Sequence, residues 1–228
     1  MGTLVLVRHG QASFGAADYD RLSPLGERQC RRLGEHLRAR GMRFEAAFSG
    51  TLRRQIDSLD AIAAGLGGLP PPVRLPALDE YDPEALVRAR FPDPPPPDDP
   101  ADARAAFRHQ FRLLREALAA WMVGRTAPQG MPSHAEFVAG VAAALQRARE
   151  QHAGDVLMVS SGGPIAAAVA LVLGLAPPAA IELNLRIRNS AVTELAATRS
   201  GHVLLSFNGI AHLETLPAAE AAHWVTFA

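Results

Sequence analysis

Near its start the chain carries Leu4-Val5-Leu6-Val7, four aliphatic residues without a polar break, running straight into Arg8-His9-Gly10. An apolar run this short and this rich in β-branched residues reads as a buried strand. The polar triplet then falls at the strand's C-terminal end, which is where open α/β sheets bind ligands. A guanidinium offers a planar fork of donors, an imidazole can act as a nucleophile, and a glycine lets backbone approach closely. Together they suit a phosphate. Standing alone, the same triplet fits a solvated turn after a buried strand, so the rest of the chain has to decide.

The pattern that follows alternates strands with helices. Ser23-Pro24 starts a helix, Cys30, Leu33 and Leu37 mark its buried face, and Gly41 ends it. Phe44 to Phe48 reads as a second strand. Leu52, Ile56, Leu59, Ala63 and Leu66 then recur at helical spacing until Gly67-Gly68 and a proline run. Val73 to Leu75, Val156 to Ser160, Leu183 to Ile187, Val192 to Ala196 and Val203 to Phe207 read as further strands. Ser133 to Gln151, and the stretch after Ser161-Gly162-Gly163-Pro164 through Leu173, read as helices. The expectation is a three-layer α/β fold: a mostly parallel central sheet flanked by helices. Residues 1–228 form one domain, with a helical cap inserted at about 81–132. The cap holds the proline-rich stretch from Phe91 to Pro100 and a helix with Phe107, Phe111, Leu114, Leu118 and Trp121 on one face.

Composition removes several classes of function. The 228 residues carry no net charge, which argues against nucleic acid as a partner. All 23 basic residues are arginine, so no mechanism that needs a lysine is open. Cys30 is the only cysteine and reads as a small core residue. No cysteine or histidine cluster has metal-ligand spacing, and no cofactor motif occurs. The longest apolar run, Ile165 to Leu175, is shorter than the ~20 residues a bilayer span takes. No membrane partner and a cytoplasmic location are expected.

The second helix begins Ser49-Gly50-Thr51-Leu52-Arg53-Arg54. A helix N-terminus with a guanidinium is a good phosphate site, but a solvent-facing arginine pair looks the same in sequence. Leu78-Asp79-Glu80-Tyr81 offers a carboxylate beside rivals Asp79 and Asp82. Taken with Arg8-His9-Gly10 and Ser23-Pro24-Leu25-Gly26, these motifs resemble the histidine phosphatase superfamily, the phosphoglycerate-mutase-like proteins, in order and spacing from Leu4 to about Leu213.

The resemblance implies a metal-independent phosphomonoester hydrolase acting on a small phosphorylated substrate. It makes His9 the nucleophile, Arg8 and Arg54 the phosphoryl clamps, and Glu80 the proton donor to the leaving oxygen. Gly10, Gln11, Ser13, Ser161 and Gly162 fall in the substrate-binding positions. The family's second histidine has Ser161 in its place, and an asparagine expected six residues after the nucleophile is Gly15. A neutral hydroxyl adds no charge, and charge-assisted bonds are roughly twice as strong as neutral ones. A slow enzyme and a phospho-ligand-binding protein on the same scaffold therefore both stay open, with a phosphoglycerate mutase as a third reading. His134 and His212 are the histidines placed to compensate. Arg104, Arg108, Arg112 and Arg115 read as the wet face of the cap helix.

Overall fold

The first strand, β1 (Thr3–Arg8), divides its aliphatic residues between two faces. Val5 and Val7 pack with Cys30, Leu33, Leu37, Leu59 and Ile62. Leu4 and Leu6 pack with Val141, Leu145 and Ile165. Residues 156–160 do the same: Leu157 and Val159 join the first cluster, Val156 and Met158 the second. Successive strand residues point to opposite faces, so a continuously apolar strand has to be covered twice. This is what builds three layers. The computed structural model describes residues 2–13, 20–97, 99 and 102–227.

The remaining strands are β2 (Ala46–Ser49), β3 (Val73–Arg74), β4 (Val156–Ser160), β5 (Val192–Ala197) and β6 (His202–Gly209). The helices are α1 (Pro24–Ala39), α2 (Arg53–Leu66), α3 (Pro83–Arg90), α4 (Ala103–Met122), α5 (His134–Gln151), α6 (Gly162–Leu173), α7 (Pro177–Asn184), α8 (Ala211–Glu214) and α9 (Ala218–Trp224). A 3-10 turn covers Pro76–Leu78. The sheet order is β3-β2-β4-β1-β5-β6. The first four are mutually parallel, whereas β5 runs antiparallel to β1 and β6 antiparallel to β5. The sheet is therefore mixed, with the expected parallel half carrying β1. The β1–β4 register sets Leu4 against Val156 and Arg8 against Ser160, so both strands end level.

Local signals account for most boundaries. Gly26 N donates to the Ser23 side chain at 3.0 Å, which caps α1 as its Ser-Pro start predicts. Cys30 is buried in the core, and burial pushes its thiol up to about 11. One expected strand is absent. Leu183 and Asn184 close α7, and the buried Ile187 sits in the turn beyond. Pro177 and Pro178 preset a helical start, and the Arg186 side chain bonds Glu182 one turn back. Alternation over five residues cannot distinguish such a helix end from a strand.

α3 and α4 share a small core in which Leu86, Ala117, Leu118 and Trp121 meet Ile181 of α7. Phe107, expected on the buried face of α4, is half exposed, with the Phe111 ring 4.7 Å away. The reason is length. Eight residues of α3 cover about 12 Å, whereas the twenty of α4 run about 30 Å. The N-terminal half of α4 thus extends past its cover. In the proline-rich stretch, the Pro95 carbonyl accepts from His109 Nε2 at 2.8 Å, and Arg112 donates to His109 Nδ1. Asp98, Pro100 and Ala101 lie outside the described residues. Among those described, no helix is long and apolar enough to cross a membrane.

Because Leu6 faces the α5–α6 layer without exposure to solvent, Leu6→Ala should cost about 2–5 kcal/mol in a denaturant titration. An unchanged midpoint would contradict the two-faced burial of β1.

Candidate active site

His9 follows the last residue of β1 and is held from three sides through its backbone. Its N–H donates to Ser160 O at 2.9 Å. Its carbonyl accepts from Ser190 N at 3.2 Å and Asn189 Nδ2 at 3.3 Å. Ser190 adopts φ 56°, a left-handed conformation that is uncommon outside glycine and marks a constrained turn. The next residue, Gly10, donates to Ser58 Oγ at 3.0 Å and presses onto the first turn of α1. A Cβ at Gly10 would lie 2.4 Å from Gly26 O, so only glycine lets this loop sit so close to the helix.

The His9 ring is almost wholly buried, and its tautomer follows from its partners. Nδ1 lies 2.7 Å from Gly10 O, an acceptor, so Nδ1 carries the proton. Nε2 accepts from Arg54 Nε at 3.3 Å and therefore holds the lone pair. Burial, then the charges of Arg8 and Arg54, hold the imidazole well below its ordinary value. A neutral imidazole with an available Nε2 lone pair is a nucleophile.

Of the two arginines opening α2, Arg54 turns inward and Arg53 outward. Arg54 is buried and donates from Nη1 to Asp20 Oδ1 at 2.6 Å as well as to His9. Arg53 pairs with Asp57 one turn on, at 2.9 Å and well exposed. Arg8 donates to the Ile187 carbonyl.

Glu80 sits beyond the 3-10 turn and accepts the Gly163 N–H on both carboxyl oxygens, at 3.0 and 3.1 Å. This carboxylate takes the place of a helix cap: Gly163 is in the first turn of α6, and the N-cap residue Ser161 makes no cap bond. Burial pushes the Glu80 carboxyl above its ordinary value, outweighing the Gly163 bond and the charges of Arg8 and Arg54. The rival carboxylates are occupied elsewhere. Asp79 accepts from Thr51 N and Oγ1, and Asp82 caps α3 by accepting from Glu84 and Ala85 N–H.

The other anticipated residues divide. Gly162 begins α6 beside Ser161, and both are buried. Ser161 Oγ accepts from Gln55 Nε2 at 2.8 Å. Gln11 and Ser13 spend their side chains closing their own loop: Gln11 Oε1 accepts from Ser23 Oγ, and Ser13 Oγ donates to Leu22 O. Gly15 lies outside the described residues. His134, at the start of α5, packs edge-on against Trp121 of α4 at 5.0 Å. His212 is buried behind the site with Nε2 2.9 Å from Ser190 Oγ, and burial pulls it down to about 3. It supports the turn that holds His9 and presents no charge. Arg108, Arg112 and Arg115 bond Asp102, His109 and Glu182 respectively. Sequence reasoning missed Asp20, Gln55, Asn189 and Ser190, because each acts through a partner far away in the chain. Among the described residues, no group of three or more His, Cys, Asp or Glu could hold a metal ion.

The chain matches the family model of the histidine phosphatase superfamily (branch 1) over residues 4–92 and 102–209. It is 40% identical over 88 residues to a 2,3-bisphosphoglycerate-dependent phosphoglycerate mutase of Bradyrhizobium diazoefficiens. That match covers 35% of this chain and 42% of the mutase, less than half the length of each. A mycobacterial glucosyl-3-phosphoglycerate phosphatase complexed with VO3 is 24% identical, over 92% of this chain and all of the other, with a TM-score of 0.63. A phosphoserine phosphatase from Entamoeba histolytica in complex with 3-phosphoglyceric acid is 20% identical, over 93% and 99%, with a TM-score of 0.64. At these identities the two solved structures establish a shared fold.

A Cβ at Gly163 would lie 2.1 Å from Glu80 Oε1 and 2.6 Å from the Tyr81 ring. Gly163→Ala should therefore evict the carboxyl towards solvent, and its pKa, followed by NMR titration, should fall back to the ordinary range. A Glu80 that still titrates high in that variant would contradict the assigned contact.

Proposed function

The chain belongs to the histidine phosphatase superfamily, and we propose that it is a metal-independent phosphomonoester hydrolase working through a phosphohistidine on His9. The observation that carries this reading is the buried His9 ring, with Nδ1 fixed on Gly10 O and the Nε2 lone pair beside a guanidinium. Nε2 attacks phosphorus while Arg8 and Arg54 neutralise the phosphoryl oxygens. The P–O bond to the ester oxygen breaks, and that oxygen takes the Glu80 proton. The carboxylate so formed then takes a proton from water, which attacks the phosphohistidine and releases phosphate and free His9. The raised Glu80 carboxyl supports its part as the acid, and the two arginines supply charge that a metal would otherwise bring.

In this reading Ser161 occupies the position of the family's second histidine and gives one neutral bond instead of a charged one. Losing a transition-state donor costs on the order of 10²–10³ in rate, so a slow enzyme is expected. The same observation favours a second reading, a phospho-ligand-binding protein that has lost turnover. The segment 81–132 is the cap that sets which small phosphorylated substrate enters, and Tyr81, beside Glu80 and bonded to Asn184 at 2.6 Å, joins the acid to the cap core.

Hydrolysis of p-nitrophenyl phosphate in the presence of chelator, wild type against His9→Ala, tests the proposal across pH. His9 has to be neutral, so its depressed pKa gives the acid limb. Glu80 has to be protonated, so its raised pKa gives the alkaline limb. The optimum should lie on the acid side of neutrality, His9→Ala should be inert, and Glu80→Gln should lose the alkaline limb. Activity that requires a divalent ion, or that survives in His9→Ala, would overturn the proposal.

A further inference from the structure

We propose that Gln55 is a positioning residue that sets the direction of the Ser161 hydroxyl, so that its single proton is presented to the phosphoryl group. This rests on the phosphatase reading of the site. Gln55 and Ser161 are both wholly buried. Gln55 Nε2 donates to Leu78 O and to Ser161 Oγ, each at 2.8 Å. A carbonyl only accepts, so the contact with Leu78 fixes which end of the Gln55 amide is nitrogen. Both of its N–H groups are then used, and Ser161 receives a bond from Gln55 without returning one. The serine proton is left to another acceptor.

Three further observations point the same way. Ser161 stands at the N-cap of α6 without capping it, because the Gly163 N–H goes to Glu80. Its hydroxyl is thus free of the task that a serine there normally performs. Gln55 Oε1 is buried with no hydrogen-bond partner, a cost that native structures rarely carry without a function. Orienting the opposite end of the amide accounts for it. Both residues also adjoin the phosphate site: Gln55 follows Arg54 on α2, and Ser161 follows Ser160, whose carbonyl accepts the His9 N–H. Leu78 O accepts from Ser160 Oγ at 2.7 Å as well, so this carbonyl keeps a partner when the Gln55 amide is removed.

The test is a double-mutant cycle on the full chain with Gln55→Leu, Ser161→Ala and both together. Its readouts are kcat and KM on p-nitrophenyl phosphate, and the Kd of inorganic phosphate by calorimetry. Gln55→Leu should lower kcat about 3- to 10-fold, as loss of one neutral bond does, with little change in KM. In the Ser161→Ala background it should cost nothing more, which a purely structural residue would not show. Gln55→Met, closer in length, replaces Gln55→Leu if that variant does not fold. Losses that multiply across the cycle, or a Gln55 variant as active as wild type, overturn the proposal. A wild type that binds phosphate and turns nothing over removes the phosphatase reading alone. The phosphate affinities then decide Gln55 by the same criterion: absorption by Ser161→Ala supports it, while independence or no phosphate binding overturns it.

Discussion

The last rung of the β1–β4 ladder, His9 N to Ser160 O at 2.9 Å, is the contact on which the site depends. Parallel pairing sets Arg8 against Ser160, so the polar residues that follow the two strands emerge side by side. That pairing exists because both strands are apolar on both faces and have to lie in the middle of a sheet covered twice. Core packing and site geometry therefore share one cause. Everything else at the site is attached to this edge: α2 brings Arg54 and Gln55, α6 brings the Gly163 N–H, and the Asn189-Ser190 turn closes on the His9 carbonyl.

Burial does opposite things to the two titrating groups His9 and Glu80. Desolvation disfavours charge, so it lowers His9 and raises Glu80. The arginines lower both, which reinforces the effect on His9 and opposes it on Glu80. The Gly163 bond also favours the carboxylate, and burial still prevails. Both shifts run in the direction that the proposed mechanism asks of them, towards an uncharged imidazole and an uncharged carboxyl.

Much of this was legible from local chemistry. The Leu4–Val7 run, the Ser23 cap and the glycines after β4 each carry their own signal, and each lies where that signal puts it. The choice of Arg54 over Arg53 needed the resemblance, since helical spacing alone leaves either free to turn inward. What stayed hidden is long-range. No periodicity announces that Gln55 meets Ser161, or that Asn189 and Ser190 reach back to residue 9. Leu183–Ile187 misled because alternation over a short stretch also fits a helix end and its turn. Phe107 misled because its exposure is set by the length of α3, a neighbour the α4 sequence does not describe.

The proposed mechanism requires that His9 Nε2 carry the phosphoryl group during turnover. Rapid quench of the enzyme with a phosphomonoester into alkali, which preserves phosphohistidine, followed by mass spectrometry of the peptide bearing His9, tests it most directly. The account predicts one added phosphoryl group on His9 in the wild type and none in His9→Ala. Turnover without any labelled His9, or a label on Ser161 instead, would contradict it.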